Sequence, residues 1–434
     1  MLEGHLLEWL NLFVRWFHIT AGIAWIGASF YFNWLENNLV RSGPQKEGIA
    51  GYLWAIHGGG IYRLEKYETA PEVMPKTLHW FKWEAYTTWL TGMGLLIVQY
   101  YFNASLYLID PAVLELAPWQ AVMISMVCIL ASWIVYDLAS NTLAHKPMLL
   151  TILGLGSFAL VAYGLSLIFS GRGAFINIGA MIGTIMVANV AHVIMPSQRA
   201  LLSAVGKGEA VDPKYGAKAL LRSRHNNYLT LPILFIMISN HYPSTYGSDL
   251  NWLILMVLIV LSAGIRHYFN IRHKPEKSVW ILPVACLCLL SLAWVTQPER
   301  YVLPKKTQIS DSTVQDQQSL SASKNVNKHV VNVKTNLESG VIESKQAPLL
   351  ESLDEKVQMI VEARCTTCHS AQPSFQMFST PPAGVMFDTA AQIQTQRIKI
   401  YQQSVLQKTM PLGNLTKMLD EERATVEEWF LAHE

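Results

Sequence analysis

Apolar residues gather in long stretches within the first 300 residues of the chain. A helix that crosses a lipid bilayer needs about 20 consecutive, mostly apolar residues, and all but one of the stretches have about that length. The sixth is shorter and contains Pro232, so we expect it to be kinked or partly interfacial. The pattern predicts about eight transmembrane helices. The predicted spans are residues 10–33, 80–102, 118–138, 148–169, 174–196, 227–241, 250–271 and 278–297.

The apolar pattern ends near residue 303, and the chain then becomes rich in Ser, Gln, Asn, Lys and Val. Such a segment buries too little apolar surface to fold, so it is predicted to be a disordered tether. Helical spacing returns near the C-terminus. We expect the two helices that it marks to pack together. Their apolar residues are Val357, Ile360 and Val361 in the first, and Val426, Trp429 and Phe430 in the second.

The predicted fold class is therefore all-α, with three parts. Residues 1–303 form a polytopic membrane helix bundle, residues 304–350 a flexible linker, and residues 351–434 a small all-α domain. The composition agrees, because 51% of the residues are hydrophobic and only 15% are charged, against about 25% charged in soluble domains. The net charge of +2 gives no sign of a nucleic-acid partner.

Basic residues are distributed unequally among the loops between the predicted spans. Fifteen lysines and arginines lie in the loops after spans 1, 3, 5 and 7, whereas the loops after spans 2, 4 and 6 hold only Arg172. Loops on the cytoplasmic side carry the excess of positive charge. We therefore expect both termini on the outer side. The N-terminus lacks a basic region and a cleavage site, so the first span is predicted to be a retained helix.

The segment Cys365-Thr366-Thr367-Cys368-His369 is the strongest chemical motif in the chain. Two thiols at this spacing bond the vinyl groups of one haem, and the adjacent imidazole binds its iron. The motif predicts one covalent haem c, with His369 as the proximal ligand, in a cytochrome c domain over residues 351–434. Haem c is attached on the outer face of the bacterial inner membrane. The predicted location is thus that membrane, with the cytochrome domain and both termini in the periplasm.

The second axial ligand of the haem is predicted to be Met410. Pro411 follows it and stiffens the loop, and a methionine ligand raises the reduction potential relative to a second histidine. The alternative is that Met410 serves only packing. In that case the ligand is one of Met377, Met386 and Met418.

Ionisable residues within membrane spans are costly and are often functional. Arg15 and His18 share a helix face in the first span, where His18 is a candidate ligand for iron or substrate and Arg15 a candidate partner for an anion. His241 is a candidate partner for His18. Four further histidines lie toward the inner side, on four helices, and could form a haem b or substrate site; each alone could equally be solvated or hydrogen-bonded. They are His79, His192, His225 and His267.

The inner loop His57-Gly58-Gly59-Gly60 also contains candidate binding groups. Three glycines allow close approach of the backbone to a ligand, and the following Arg63 and Lys66 suit an anion. The alternative is a flexible turn at a helix end.

Four strings of the membrane region resemble the membrane-bound urate oxidases, or urate hydroxylases, that carry an N-terminal membrane domain and a C-terminal cytochrome c domain. The resemblance covers the membrane region and the haem tail. The strings are residues 16–27 (WFHITAGIAWIG), 57–60 (HGGG), 79–84 (HWFKWE) and 222–232 (RSRHNNYLTLP).

The resemblance implies oxidation of urate to 5-hydroxyisourate, with the electrons passing through haem c to the respiratory chain. A soluble cytochrome c or a terminal oxidase would receive them. Water would supply the added oxygen atom, with His225 or His192 as general base and His18 as a third candidate catalytic residue. A haem b on membrane histidines is left open as a second carrier.

Two other functions fit the residues alone. One is a respiratory subunit that passes electrons from quinol to its own haem c. The other is a membrane anchor or transporter with an attached cytochrome. Without the resemblance, the residues indicate only a membrane-bound c-type cytochrome with an oxidoreductase function.

Overall fold

The computed structural model describes residues 2–433 apart from 44–45, 72, 112, 273–277, 297–346, 376–377 and 379–380. The predicted linker over 304–350 thus lies outside the described residues except for its last four, which open a helix. The chain is mostly helical. Its α-helices are α1 Leu2–Asn38, α2 Trp83–Leu95, α3 Ala104–Tyr107, α4 Pro118–Thr142, α5 Pro147–Ser166, α6 Gly171–Ala188, α7 Met195–Gly206, α8 Pro213–Ser239, α9 Pro243–Tyr246, α10 Asn251–Ile271, α11 Ile281–Val295, α12 Ala347–Arg364, α13 Ala390–Thr395, α14 Arg397–Tyr401 and α15 Asp420–Ala432.

A helix is present at each of the eight apolar stretches, and several extend beyond them. A π-helical segment, Leu96–Tyr101, prolongs α2, and another, Asn189–Ile194, joins α6 to α7. Within the described residues, four helices are long and apolar enough to cross a membrane. These four indicate a membrane protein, while the count of eight spans stays a prediction. They are Pro118–Thr142, Pro147–Ser166, Gly171–Gly206 and Asn251–Ile271.

The fold class needs one correction, because the chain also contains a β-hairpin. Strands β1 (Ile49–His57) and β2 (Gly60–Tyr67) pair antiparallel between α1 and α2. Gly58 and Gly59 form its two-residue turn with φ angles of +57° and +79°, a backbone conformation that glycine adopts readily. The glycine loop is therefore a hairpin turn rather than a flexible end of a helix.

The helix directions give the bundle two distinct ends. The hairpin lies after the C-terminal end of α1, and we call this the hairpin end. The opposite end carries α3, α9 and the turn before α6, and we call it the tail end because the C-terminal residues lie there. The helix formed by α6 and α7 is the central one, with most of its side chains buried in the bundle.

The residues from Ala347 onward, here called the tail, have a core of their own in which α12 packs against α15. Val357, Val361, Val426 and Trp429 are almost completely buried there. The expected contact between the first and last helices of this region is thus confirmed. Helix α12 begins at Ala347, four residues before the predicted start of the domain at 351.

The tail is docked on the membrane helices. Phe375 and Leu412 pack against the apolar core of the bundle. Gly413 approaches α3 so closely that an added Cβ would lie 2.5 Å from the carbonyl oxygen of Ser105. Asp110 at the tail end acts electrostatically on Arg423 of the tail. Apolar packing, close backbone approach and opposite charges therefore all hold the tail on this surface.

Helices α6 and α8 pack closely because α6 presents small residues to α8. Gly179 and Gly183 lie four residues apart on one face, a spacing that lets helix backbones approach in membranes. An added Cβ on Gly179 would lie 2.7 Å from a methyl group of Ile236, and one on Gly183 would lie 3.4 Å from Ile233.

We expect Gly179→Ala to destabilise the bundle by about 1–3 kcal/mol, because the methyl group overpacks this contact. The measurement is thermal unfolding of the full chain in detergent, and the variant should unfold at a lower temperature. Gly264→Ala in α10 is the matched control. Nothing lies within 4 Å of its added Cβ, so it should be neutral or slightly stabilising. Equal losses in both variants would contradict close α6–α8 packing.

Candidate functional site

A cavity of about 500 Å³ opens near the hairpin end of the bundle. Its walls come from α1, the segment before α2, the helix from α6 to α7, and α8. Many of its lining side chains are aromatic or can hydrogen bond, which suits a planar, polar ligand. The aromatic residues are Trp25, Phe32, Trp80 and Phe81, and the main polar ones are Ser29, Asn33, His79, Gln198, Ser223 and Asn226.

Asn226 is the most firmly positioned polar residue of the cavity wall. Its amide nitrogen donates to the backbone oxygen of Met186 at 2.9 Å, and its amide oxygen accepts from Asn189 at the same distance. Asn189 also donates to the hydroxyl of Tyr136 at 3.0 Å. The two asparagines therefore tie α8 to the central helix and to α4.

Arg222 lies one turn before Asn226 and is buried, with 1% of its side chain exposed. Its guanidinium donates to the Asp137 carboxylate at 2.7 Å and to the Asn141 side chain at 3.1 Å. The ring of Tyr136 lies 5.0 Å from the guanidinium carbon. A buried cation needs such compensation, so α4 supplies the groups that allow α8 to carry Arg222.

His79 and Glu84 form the ionisable pair at the cavity. His79 lines the cavity, and its Nε2 atom lies 3.7 Å from one carboxylate oxygen of Glu84. The other carboxylate oxygen is buried and accepts no hydrogen bond from the described residues. Glu84 thus places a carboxylate beside the His79 imidazole at the cavity.

Three of the family-like strings supply residues to this cavity. Trp25 comes from the first, residues 79–81 from the third, and Ser223 and Asn226 from the fourth. The hairpin turn, which holds the second string, does not line it. Sequence comparison identifies the region directly: the family described as Urate oxidase N-terminal matches residues 4–297. The chain belongs to this family.

Membership of the Urate oxidase N-terminal family supports a urate-related oxidoreductase. The match covers the whole membrane region and ends before the predicted linker. Comparison with curated proteins and with solved structures gives no match. The cavity is therefore a feature of the region that this urate oxidase family shares, whereas the tail lies outside the match.

The three histidines predicted to be catalytic occupy separate places in the urate oxidase region. His225 shares a 2.7 Å hydrogen bond with the Tyr136 hydroxyl, and His18 contacts the backbone oxygen of Thr88 at 2.9 Å. His192 is exposed on the bundle surface, with its ring 6.0 Å from that of Trp133. None of the three is among the lining residues of the cavity, and their catalytic roles stay predictions.

The four inner histidines do not form one cluster. Each has its own neighbour: His79 has Glu84, His192 has Trp133, His225 has Tyr136, and His267 has Tyr228. No group of three or more histidine, cysteine or acidic side chains suited to a metal ion occurs in the part of the chain that the structure describes.

The haem motif lies in the tail at the C-terminal end of α12. His369 contacts the backbone oxygen of Val385 through Nδ1 at 3.0 Å, which leaves Nε2 available for iron. Both cysteines are free, and Cys365 packs against the tail core. Burial raises the pKa of Cys365 to about 12 and lowers the pKa of His369. Two free thiols and a neutral, oriented imidazole are the donor set that a covalent haem needs.

The structure also distinguishes among the candidate methionine ligands. Met410 is half-buried, and its backbone is held by hydrogen bonds with Gln403 and Arg423. Met418 is buried in the tail core, where it serves packing. Met386 is also half-buried, and Met377 lies outside the described residues. Among the described methionines, Met410 and Met386 are the accessible candidates, and only Met410 lies in a loop held by Arg423.

Sequence reasoning missed the partners on α4. Asp137 and Tyr136 hold Arg222, Asn189 and His225, yet neither was among the candidate residues. Asp137 could have been found, because it is an acidic residue at the end of an apolar span and such residues are rarely unpaired. Which cation it pairs with could not be read from the sequence.

We expect Asp137→Asn to destabilise the full chain by about 2–4 kcal/mol, because it leaves the charge of Arg222 buried without a carboxylate. Thermal unfolding in detergent measures the effect. Asp212→Asn is the matched control: Asp212 pairs with Lys214 on the surface, where ion pairs contribute at most about 1 kcal/mol, and Asn is an equally good helix cap. The interpretation is wrong if both variants behave alike.

Proposed function

We propose that this chain is a membrane-bound oxidoreductase that oxidises urate to 5-hydroxyisourate and passes the electrons through a covalently attached haem c to the respiratory chain. The observation that carries the proposal is the cavity at the hairpin end, whose walls take residues from three of the four strings and lie in the region that matches the family. Urate is a planar anion, so the indole and phenyl rings suit its faces and the amide and imidazole groups suit its edges.

The reaction balances without oxygen as a substrate. Urate and one water molecule give 5-hydroxyisourate, two protons and two electrons. Water provides the added hydroxyl oxygen, and its proton must be taken by a base near the substrate. A bound haem c would supply one-electron acceptance, so each turnover would require two successive transfers. A haem b on membrane histidines is kept as a candidate second carrier.

His79 is the residue best placed to act as that base. It lines the cavity, and Glu84 lies behind it at 3.7 Å. Glu84 places an anion beside the imidazole that takes the proton from water. His225 and His192, the general bases proposed from sequence, are not among the residues that line the cavity. His18 is retained as a candidate catalytic residue that binds iron or substrate.

The tail residues fit a haem group, which supplies one-electron acceptance when bound. Cys365 and Cys368 would hold it covalently, His369 would bind iron through Nε2, and Met410 would be the second protein ligand of the iron. The proposed acceptor beyond the tail is a soluble cytochrome c or a terminal oxidase. The basic loops favour eight spans in the bacterial inner membrane, with the tail and both termini in the periplasm.

The test is anaerobic visible spectroscopy of washed membranes that contain the chain, before and after urate is added. We expect the reduced c-type band to rise with urate and to be absent in the C365A/C368A variant, because haem cannot be attached there. A b-type shoulder in the same spectrum would support the second carrier.

Other outcomes of that experiment would replace the proposal. Reduction by a quinol but not by urate would assign the chain to respiratory electron transfer. A c-type haem that neither donor reduces would indicate a membrane anchor with an attached cytochrome.

We expect His79→Gln to lower urate-dependent haem reduction by about 100-fold or more, which is the usual contribution of a general base. Glu84→Gln should lower it less, because His79 remains. Reduction of the haem by dithionite should be unchanged in both. His192→Gln tests the alternative base proposed from sequence, and a loss confined to that variant would move the role of base from His79 to His192.

A further inference from the structure

Arg172 lies at the tail end of the bundle in the first turn of α6. Its Nε atom donates to the Tyr100 hydroxyl at 3.1 Å and to the Asn240 side chain at 3.2 Å. The guanidinium carbon lies 4.7 Å from the centre of the Tyr107 ring. We call Arg172, Tyr100, Tyr107 and Asn240 the Arg172 cluster. Neutral groups therefore fix the position and direction of this cation.

The charge of Arg172 is not neutralised by the protein residues that the structure describes. Among the described residues it pairs with no carboxylate, its hydrogen bonds come from Nε, and the groups that act on its charge are tyrosines. Arg15, a second cation near this end, likewise bonds to an amide, that of Gln99 at 2.9 Å. A half-buried cation without a carboxylate keeps its positive potential at the surface around it.

The surface that holds this charge is the one on which the tail is docked. Two side chains of the tail pack onto the bundle, and each closely follows a proposed haem ligand in sequence. Phe375 comes six residues after His369, and Leu412 comes two residues after Met410. The loop that follows His369 and the loop that follows Met410 thus both face the bundle.

Tyr107 joins the cluster to the haem motif. Burial raises the pKa of its hydroxyl group, and the charges of Arg172, Arg15 and the Cys368 thiol all act on that hydroxyl. Interactions of this kind operate over short distances in a protein. Cys368 of the haem motif therefore lies within electrostatic range of Tyr107, which contacts Arg172.

We propose that the Arg172 cluster is the surface through which electrons enter the tail, and that its charge raises the reduction potential of the haem while the tail is docked. The inference rests on the proposed function, because a haem bonded to Cys365 and Cys368 is part of it. An electron from urate, oxidised in the membrane region, converts ferric to ferrous iron and lowers the charge of the haem by one. A neighbouring cation stabilises that product.

The size of the effect follows from the charge. A unit charge about 10 Å away, in a medium with an effective dielectric constant of about 20, changes an equilibrium constant roughly tenfold. For a one-electron couple, tenfold corresponds to 59 mV. Docking of the tail therefore raises the equilibrium constant for reduction of its haem roughly tenfold. A tail that leaves the surface loses the influence of the cation and gives its electron to the next acceptor more readily.

Potentiometric titration of the haem in the purified full chain tests the proposal. In Arg172→Gln, the ratio of reduced to oxidised haem at a fixed potential should fall about tenfold. Arg172→Lys keeps the charge and should stay nearer the wild type. Arg199→Gln is the control: it removes an arginine from the same continuous helix, about 40 Å further along, and should leave the ratio unchanged.

A second variant separates the tail from the cluster without altering the cluster. Gly413→Ala places a methyl group 2.5 Å from the Ser105 oxygen, so the tail must move away from α3. The same fall in the ratio is expected, and adding Arg172→Gln to this variant should lower it little further. The visible spectrum of the ferric haem serves as a check that its axial ligands are unchanged.

The outcomes distinguish this inference from the proposed function. A wild-type chain without covalent haem would contradict both the inference and the proposed function. A haem-bearing chain in which Arg172→Gln and Arg199→Gln have the same potential would remove the inference alone. An additive loss in the Gly413→Ala, Arg172→Gln double variant would show that Arg172 acts on the haem independently of docking, which also contradicts it.

Discussion

The buried charge of Arg222 has to be compensated inside the helix bundle, and the geometry of the cavity depends on how this is done. Asp137 and Asn141 on α4 accept the hydrogen bonds of the guanidinium. Because a buried cation without a carboxylate is strongly unfavourable, α4 and α8 are held in one register. Asn226, one turn beyond Arg222, is thereby fixed in the cavity wall and linked to the central helix. A polar network that stabilises the bundle thus also positions groups that would contact a ligand.

Much of the helical framework could be predicted from sequence, because a bilayer imposes a minimum length on apolar helices. The stretches 118–138 and 250–271 correspond closely to helices Pro118–Thr142 and Asn251–Ile271. The packing of α12 on α15 was also predictable, since Val357 and Val426 repeat at helical spacing with their apolar neighbours. Helix ends were less predictable. Helix α8 begins 14 residues before the apolar stretch that marked it, because polar residues also form helix where they bond to other helices.

The partners of polar residues could not be predicted in the same way, because they depend on contacts between distant segments. His225 bonds to Tyr136, 89 residues away, and no local pattern indicates that pair. The glycine-rich loop shows a related difficulty: Gly58 and Gly59 permit a turn of almost any kind, and only the pairing of β1 with β2 makes it a hairpin. The cavity is similar, since its wall combines residues from Trp25 to Asn226. The residue types in the sequence indicate which interactions are possible, and the fold determines which of them form.

The cavity and the docked tail lie toward opposite ends of the helices, which gives the proposed reaction a direction across the bilayer. Protons released from urate would appear near the hairpin end, while the electrons would leave at the tail end. In the proposed orientation, negative charge moves outward through the membrane. A potential that is negative inside favours this movement by up to about 2.3 kcal/mol per electron for each 100 mV. Urate oxidation would then be faster in energised membranes than in leaky ones, and each turnover would partly discharge the voltage that assists it.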